Sequence, residues 1–177
     1  MKAGGGKAKG SSYEREIAKK LSLWLTAGKR NDCIWRTSNS GGQATVTKSD
    51  TQCGDLHAVR PEAQKFFDTF SLELKNYKEL DFFQFFTGSK TEFIINKWWS
   101  QALGDATRAN KEPLLIFKIN RKTELLVYSN DRLFPTFFRK KLENNFYLPY
   151  MTICDSYNLI LLPLDKFLEN YEFLLDI

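Results

Sequence analysis

Residues 70–76 (FSLELKN) place Phe70, Leu72 and Leu74 at alternate positions, with Ser71, Glu73 and Lys75 between them. Successive side chains of an extended chain point to opposite faces. The segment therefore reads as a strand with an apolar face against a core and an acid and a lysine together on the other face. Such a strand needs neighbours, and the chain offers them. Residues 33–37 (CIWRT) and 54–60 (GDLHAVR) are strand candidates before it, the second joined to it by an expected turn over 61–68. Residues 113–119 (PLLIFKI) and 124–129 (ELLVYS) pair about a turn at 120–123, and 151–154 and 158–162 are strand-like near the end.

Helices are expected around these strands. From Ser11 and Ser12, which can cap a helix, apolar positions recur with helical spacing to about residue 28, with Glu14 and Glu16 in the first turn. Glu14, Ala18, Leu21 and Leu25 share one stripe with Ile17 and Trp24 alongside, so Glu14 is aimed at the core edge. Arg15, Lys19 and Ser22 face outward, and Glu16 reads as a solvent-side partner of Lys19 and Lys20. Residues 92–110 form a second helix, with Trp98 and Trp99 as packing residues. Further helices are expected near 137–144 and over 164–174, whereas the Phe-rich stretch 77–91 has no clear pattern.

At 177 residues the chain suits one compact domain. It contains no apolar run near the roughly 18 residues of a membrane span, and its N-terminus, lysines followed by glycines and serines, argues against a secretory signal. Three scattered cysteines, Cys33, Cys53 and Cys154, read as inert thiols of a reducing compartment, and cytoplasmic residence is expected. With one histidine, His57, a Cys/His zinc site lacks ligands, and His57 itself reads as structural. Charge is unevenly placed. Lys and Arg outnumber Asp and Glu by 26 to 21, yet residues 1–30 alone carry +6 and the other 147 residues −1. Residues 1–10 (MKAGGGKAKG) read as a flexible basic arm, and the arm and first helix as a surface for a polyanion.

Glu14, Asp55, Glu73 and Lys75 carry the chemistry. Acids on adjacent strands, with a third from a helix stripe, can offer a hard divalent cation its oxygen ligands, the remainder coming from water and phosphate. A water bound to such a cation is a nucleophile, and a lysine two residues along the same strand face reaches the same phosphate. Ser38, Asn39 and Ser40, with the glycines after them, form a polar loop whose donors suit phosphate positioning.

The segments GSSYEREIAKKL (10–21), WRTSNSGG (35–42), GDLHAV (54–59) and LELKNY (72–77) resemble the PD-(D/E)xK nuclease superfamily. The likeness is strongest to the branch of archaeal-type Holliday junction resolvases and phage-encoded endonucleases of similar size. WWSQA (98–102) and PLLIFK (113–118) continue the resemblance, which covers about residues 10–120 of a nuclease domain over 11–177. It implies an α/β fold, a restriction-endonuclease-like mixed β-sheet flanked by helices in a single domain. It also implies Glu14 as the first-helix acid, Asp55 as the metal-bridging aspartate, Glu73 and Lys75 as the ExK pair, the Leu74 carbonyl as a further metal ligand, and Gln101 as a second-helix glutamine near the site. Gly54 stands where the motif's name has proline. The implied activity is Mg2+-dependent DNA cleavage, with Mn2+ as a substitute, at branched DNA such as Holliday junctions, by a protein of a phage or prokaryote that acts in the bacterial cytoplasm, as a homodimer if it follows the resolvases. Lys7, Lys9, Arg15, Lys19, Arg36, Ser38 and Ser40 are the expected DNA contacts. Two other readings are a nuclease for linear or single-stranded DNA and a non-catalytic DNA-binding or packaging accessory protein.

Overall fold

The computed structural model describes residues 5–37, 54–81, 94–129, 131, 151–154 and 156–170. Helix α1 (Gly5–Leu25) leads into a small antiparallel pair, β1 (Ile34–Arg36) and β2 (Leu56–Ala58). After α2 (Pro61–Thr69) come β3 (Phe70–Tyr77), α3 (Ile94–Ala109), β4 (Glu112–Ile119) and β5 (Leu125–Ser129). The described chain ends with β6 (Met151–Cys154), β7 (Asn158–Pro163) and α4 (Leu164–Asn170).

The main sheet runs β3-β4-β5-β7-β6, with β3 and β4 parallel and the other neighbours antiparallel. Strand alternation divides the core in two. Leu72, Leu74, Leu114, Ile116, Leu126 and Leu162 face α1, α2 and α4, whereas Leu115, Phe117, Val127, Leu159 and Leu161 face α3 with its Ile95, Trp98, Trp99 and Ala102. The result is the restriction-endonuclease-like mixed sheet between helices that the resemblance implies. Trp98 and Trp99 pack in the core as expected. None of the described helices is long and apolar enough to cross a membrane.

Four local expectations need correction. The segment expected to turn at 61–68 is the helix α2, with Pro61 at its start and Ala63, Phe66 and Phe67 buried along one stripe. Proline's fixed φ suits a first helical turn, so the residue that suggested a turn begins a helix. Helix α1 already runs from Gly5, so Ser11 lies inside it. The Ser11 hydroxyl accepts from Arg15 Nη1 and Arg36 Nη1, both at 2.9 Å, rather than capping an end. Ser22 is fully buried rather than outward, its hydroxyl donating to the Ala18 carbonyl at 2.7 Å and accepting from Ile34 N at 3.1 Å. A serine is at home there because both its donor and acceptor capacities are met. Glu16 accepts from Lys118 on β4 at 3.0 Å rather than pairing with Lys19 or Lys20. Lys20 instead binds the buried Glu124 and, at 2.8 Å, Asp165 on α4. Lys118 also donates to Glu124 at 3.1 Å, so this ionic network fastens α1 to the sheet and to α4. The helix expected over 137–144 lies outside the described residues, as do positions 171–174 of the last one.

Candidate active site

Strand β3 is an edge strand, and Asp55 makes two hydrogen bonds on its free side. Asp55 N donates to the Leu72 carbonyl at 2.8 Å, and Leu74 N donates to Asp55 Oδ2 at 2.7 Å. One residue thus mimics a neighbouring strand with both its backbone and its side chain. Thr37 N donates to the Asp55 carbonyl at 2.8 Å, which joins the end of β1 to the same point. Main-chain groups of alternate residues leave a strand on the same side, so the carbonyl of Leu74, like that of Leu72, faces this edge and not β4.

Gly54 makes that approach possible. Its φ is +86°, and a Cβ there would lie 2.8 Å from the Leu72 carbonyl oxygen and 3.0 Å from Ser71 Oγ. Proline, locked near φ −65°, cannot stand at this position, so the departure from the motif's name is a conformational requirement here.

Ser71, Glu73 and Lys75 share the face of β3 opposite to Leu72 and Leu74, as the alternation predicts, and Glu73 is 3% exposed. Lys75 Nζ donates to Glu73 Oε1 and, at 3.0 Å, to Gln101 Oε1 on α3. Gln101 therefore joins the group through the lysine. From the other side of the sheet, α1 brings Glu14, whose Oε2 accepts from Arg36 Nε at 2.9 Å. The Glu14–Ala18–Leu21 stripe faces inward as expected, with Ala18 and Leu21 buried.

The electrostatics are those of crowded, buried acids. Burial is the main cause that pushes the Asp55 carboxyl up to about 6, with Glu14 and Asp105 adding to the rise against the Leu74 N–H and Lys75. Burial, followed by the charge of Asp55, pushes Glu73 up to about 7 despite Lys75. Asp105, one turn beyond Gln101 on α3 and paired with Arg108, raises both acids. It was missed in the sequence, where its spacing of four from Gln101 was the available signal. Burial lowers the pKa of His57, and its Nδ1 lies 3.4 Å from Thr37 Oγ1.

Among the described residues no three His, Cys, Asp or Glu side chains are gathered closely enough to hold a metal ion, and cations of the protein itself lie against Glu73 and Glu14. The donor set nevertheless has the chemistry that suits a hard divalent cation. Asp55, Glu73 and an edge-facing main-chain carbonyl are hard oxygen donors, few enough to leave places for water and phosphate, and two buried acids with raised pKa values are what a divalent cation relieves. Of the expected DNA contacts, Arg15 and Lys19 are exposed on α1, and Arg36 is engaged with Glu14 and Ser11. Lys7 and Lys9 lie in the first turns of α1, and Ser38 and Ser40 fall outside the described residues.

Comparison with curated proteins and with solved structures gave no match. A family model matches residues 5–174, nearly the whole chain, and its description is "Phage putative PDDEXK endonuclease". With Asp55, Glu73 and Lys75 assembled at the edge of a mixed sheet, the chain belongs to this PDDEXK endonuclease family of phages.

Proposed function

We propose that this protein is a divalent-metal-dependent DNA endonuclease that hydrolyses phosphodiester bonds at branched DNA, in the cytoplasm of a bacterial host. The observation that carries the reading is the pair of buried carboxyls of Asp55 and Glu73, held at the edge strand β3 with Lys75 bonded to Glu73. Asp55, Glu73 and the Leu74 carbonyl would hold Mg2+ or Mn2+, with Glu14 completing the acidic set. When bound, the cation would activate a water and offset charge on the phosphate.

The chain's own residues do the rest. The Leu74 N–H fixes one oxygen of Asp55 and so orients the carboxylate. Gln101 holds Lys75 across from Glu73, from where the ammonium can turn to a phosphate oxygen and stabilise the charge that develops on it. Arg36 holds the Glu14 side chain on α1, from where it would complete the acidic set. The basic N-terminal segment, with Lys7, Lys9, Arg15 and Lys19, supplies phosphate contacts that strengthen binding without selecting sequence. Ser38 and Ser40 would add hydroxyl donors. A two-fold dimer would suit paired cuts at a four-way junction.

The test offers labelled four-way junction, linear duplex and single strand to the wild type, Asp55→Asn and Glu73→Gln, each with Mg2+, Mn2+ or EDTA. Wild-type cleavage of the junction that needs metal and disappears in both variants, with DNA affinity retained, is the expected result. Cleavage confined to linear or single-stranded DNA would replace the substrate, and wild-type turnover in either variant would remove the site. Binding without any cleavage would make the protein an accessory DNA-binding component.

A further inference from the structure

Strand β1 has a sharp division of faces. Ile34 is buried and Arg36 turns inward to Glu14, while Trp35 between them is 57% exposed. Its partner across the pair is His57, so two rings stand side by side on the outer face, and Val59, two residues further on, is 49% exposed. Nothing in the packing of a three-residue strand calls for the largest aromatic side chain on its wet side.

The surroundings of Trp35 show what it suits. On one side Thr37, two residues away and so about 7 Å along the strand, is hydrogen-bonded to the Asp55 carbonyl. On the other, Arg30 and Arg60 both pair with Asp32 beside Lys29, leaving a net positive corner. A flat aromatic ring thus lies between a cationic corner and the acidic centre, in the order that a DNA strand running from one to the other would need. A π-face binds a base whose own face is free, and inside a continuous duplex the faces are covered by neighbouring bases.

We propose that Trp35 is a stacking platform for an unstacked nucleobase of the strand whose neighbouring phosphate enters the centre formed by Asp55 and Glu73. The proposal deepens the nuclease reading and rests on it. It makes the preferred substrate DNA with splayed or unpaired nucleotides at the cut, which a branch point supplies and a continuous duplex does not.

Of the four tryptophans, Trp98 and Trp99 are buried, and Trp24 is partly buried with its indole N–H donated to the Leu168 carbonyl. Trp35 is the one a base can reach. Intrinsic fluorescence of the full chain in EDTA is therefore titrated with oligo-dT, with a four-way junction and with a long blunt duplex, and affinities are read in parallel by anisotropy of labelled DNA. Oligo-dT and the junction are expected to quench the emission and the blunt duplex to leave it nearly unchanged, with the quench absent in Trp35→Phe. Trp35→Ala should weaken oligo-dT binding roughly 5- to 150-fold and change duplex affinity less than about twofold.

A quench that persists in Trp35→Phe, or oligo-dT affinity unchanged in Trp35→Ala, would overturn the proposal. So would an emission change that follows protein concentration without DNA, which would make the face a contact between two copies of the chain. Cleavage by the wild type in Mg2+, scored separately, distinguishes failure of the platform from failure of the nuclease reading, because the quench is measured where no cleavage occurs.

Discussion

Glu73→Gln should stabilise the metal-free protein at pH 8 and leave its stability nearly unchanged at pH 5. Both Asp55 and Glu73 hold their protons more tightly in the fold than in the unfolded chain, because burial opposes their ionisation. Their contribution to stability is therefore fully present below about pH 4 and is lost as pH rises through about 6 and 7. Moving Glu73 from 4.5 to about 7 corresponds to roughly 3 kcal/mol lost by pH 8, at about 1.4 kcal/mol per pH unit. Glutamine removes that penalty while its amide oxygen can still accept from Lys75. That shift already contains the opposing pull of Lys75. The gain at pH 8 is then up to about 3 kcal/mol, which raises Tm by roughly 6–12 °C in a chain of this size. Asp32, held down to about 2 first by its hydrogen bond from Arg30 and then by that from Arg60, titrates well below this window and does not blur it. Thermal unfolding in EDTA at pH 5 and pH 8, wild type against variant, measures the difference directly. Adding Mg2+ at pH 8 should then raise the Tm of the wild type and not that of the variant. An equal Tm difference at the two pH values would refute the account of Glu73 as a buried acid kept under strain.

Other outcomes follow from the same geometry. Glu14→Gln should lower cleavage at least tenfold, whereas Glu16→Gln, at a residue more than half exposed and paired with Lys118, should leave turnover unchanged and cost at most about 1 kcal/mol in urea unfolding. Gly54→Ala forces a side chain into φ +86° and against the Leu72 carbonyl, so it should cost about 1–3 kcal/mol and abolish cleavage, read by Tm and by junction cutting. Glu124→Ala leaves Lys20 and Lys118 facing each other at the base of α1. With both lysines about one-third exposed the loss should be about 1–3 kcal/mol, below that of a fully buried pair, again by urea unfolding. Removing residues 1–9 takes away Lys2, Lys7 and Lys9, and if all three meet duplex phosphates the slope of log affinity against log salt should become shallower by about 2.7.

What could be read from the sequence was whatever a local pattern encodes. The alternation in FSLELKN placed Glu73 and Lys75 on one face, and the helical stripe through Ala18 and Leu21 turned Glu14 inward, as the structure shows. Helix α2 escaped notice because its nine residues mix Glu62, Gln64, Lys65 and Asp68 with a leading proline, leaving Ala63, Phe66 and Phe67 as the only trace of periodicity. The partners of charged residues were beyond reach for a different reason. Glu16 meets Lys118, 102 positions away, and Lys20 meets Glu124 and Asp165, so the local pairing rule that favoured Lys19 and Lys20 for Glu16 lost to the packing of α1 on the sheet. Arg36, read as a DNA contact, also proved to be a clamp on Glu14, which no spacing within either segment reveals.

The way Asp55 lies along β3 also bears on how the molecule stays apart from its copies. An edge strand with open amides and carbonyls is a template on which another chain can add a strand, and proteins commonly blunt such edges. Here the residue that covers Leu72 and Leu74 is the same acid proposed to bind metal, with one oxygen and its own N–H committed to the strand. On the proposed function the aspartate would answer to two selections at once, catalysis through its charge and self-avoidance through its hydrogen bonds. Asparagine can retain the second while losing the first. Alanine forfeits the side-chain bond to Leu74 as well, so a chain drifting away from nuclease activity has a narrower choice at this position than at Glu73, whose carboxylate plays no part in closing the edge.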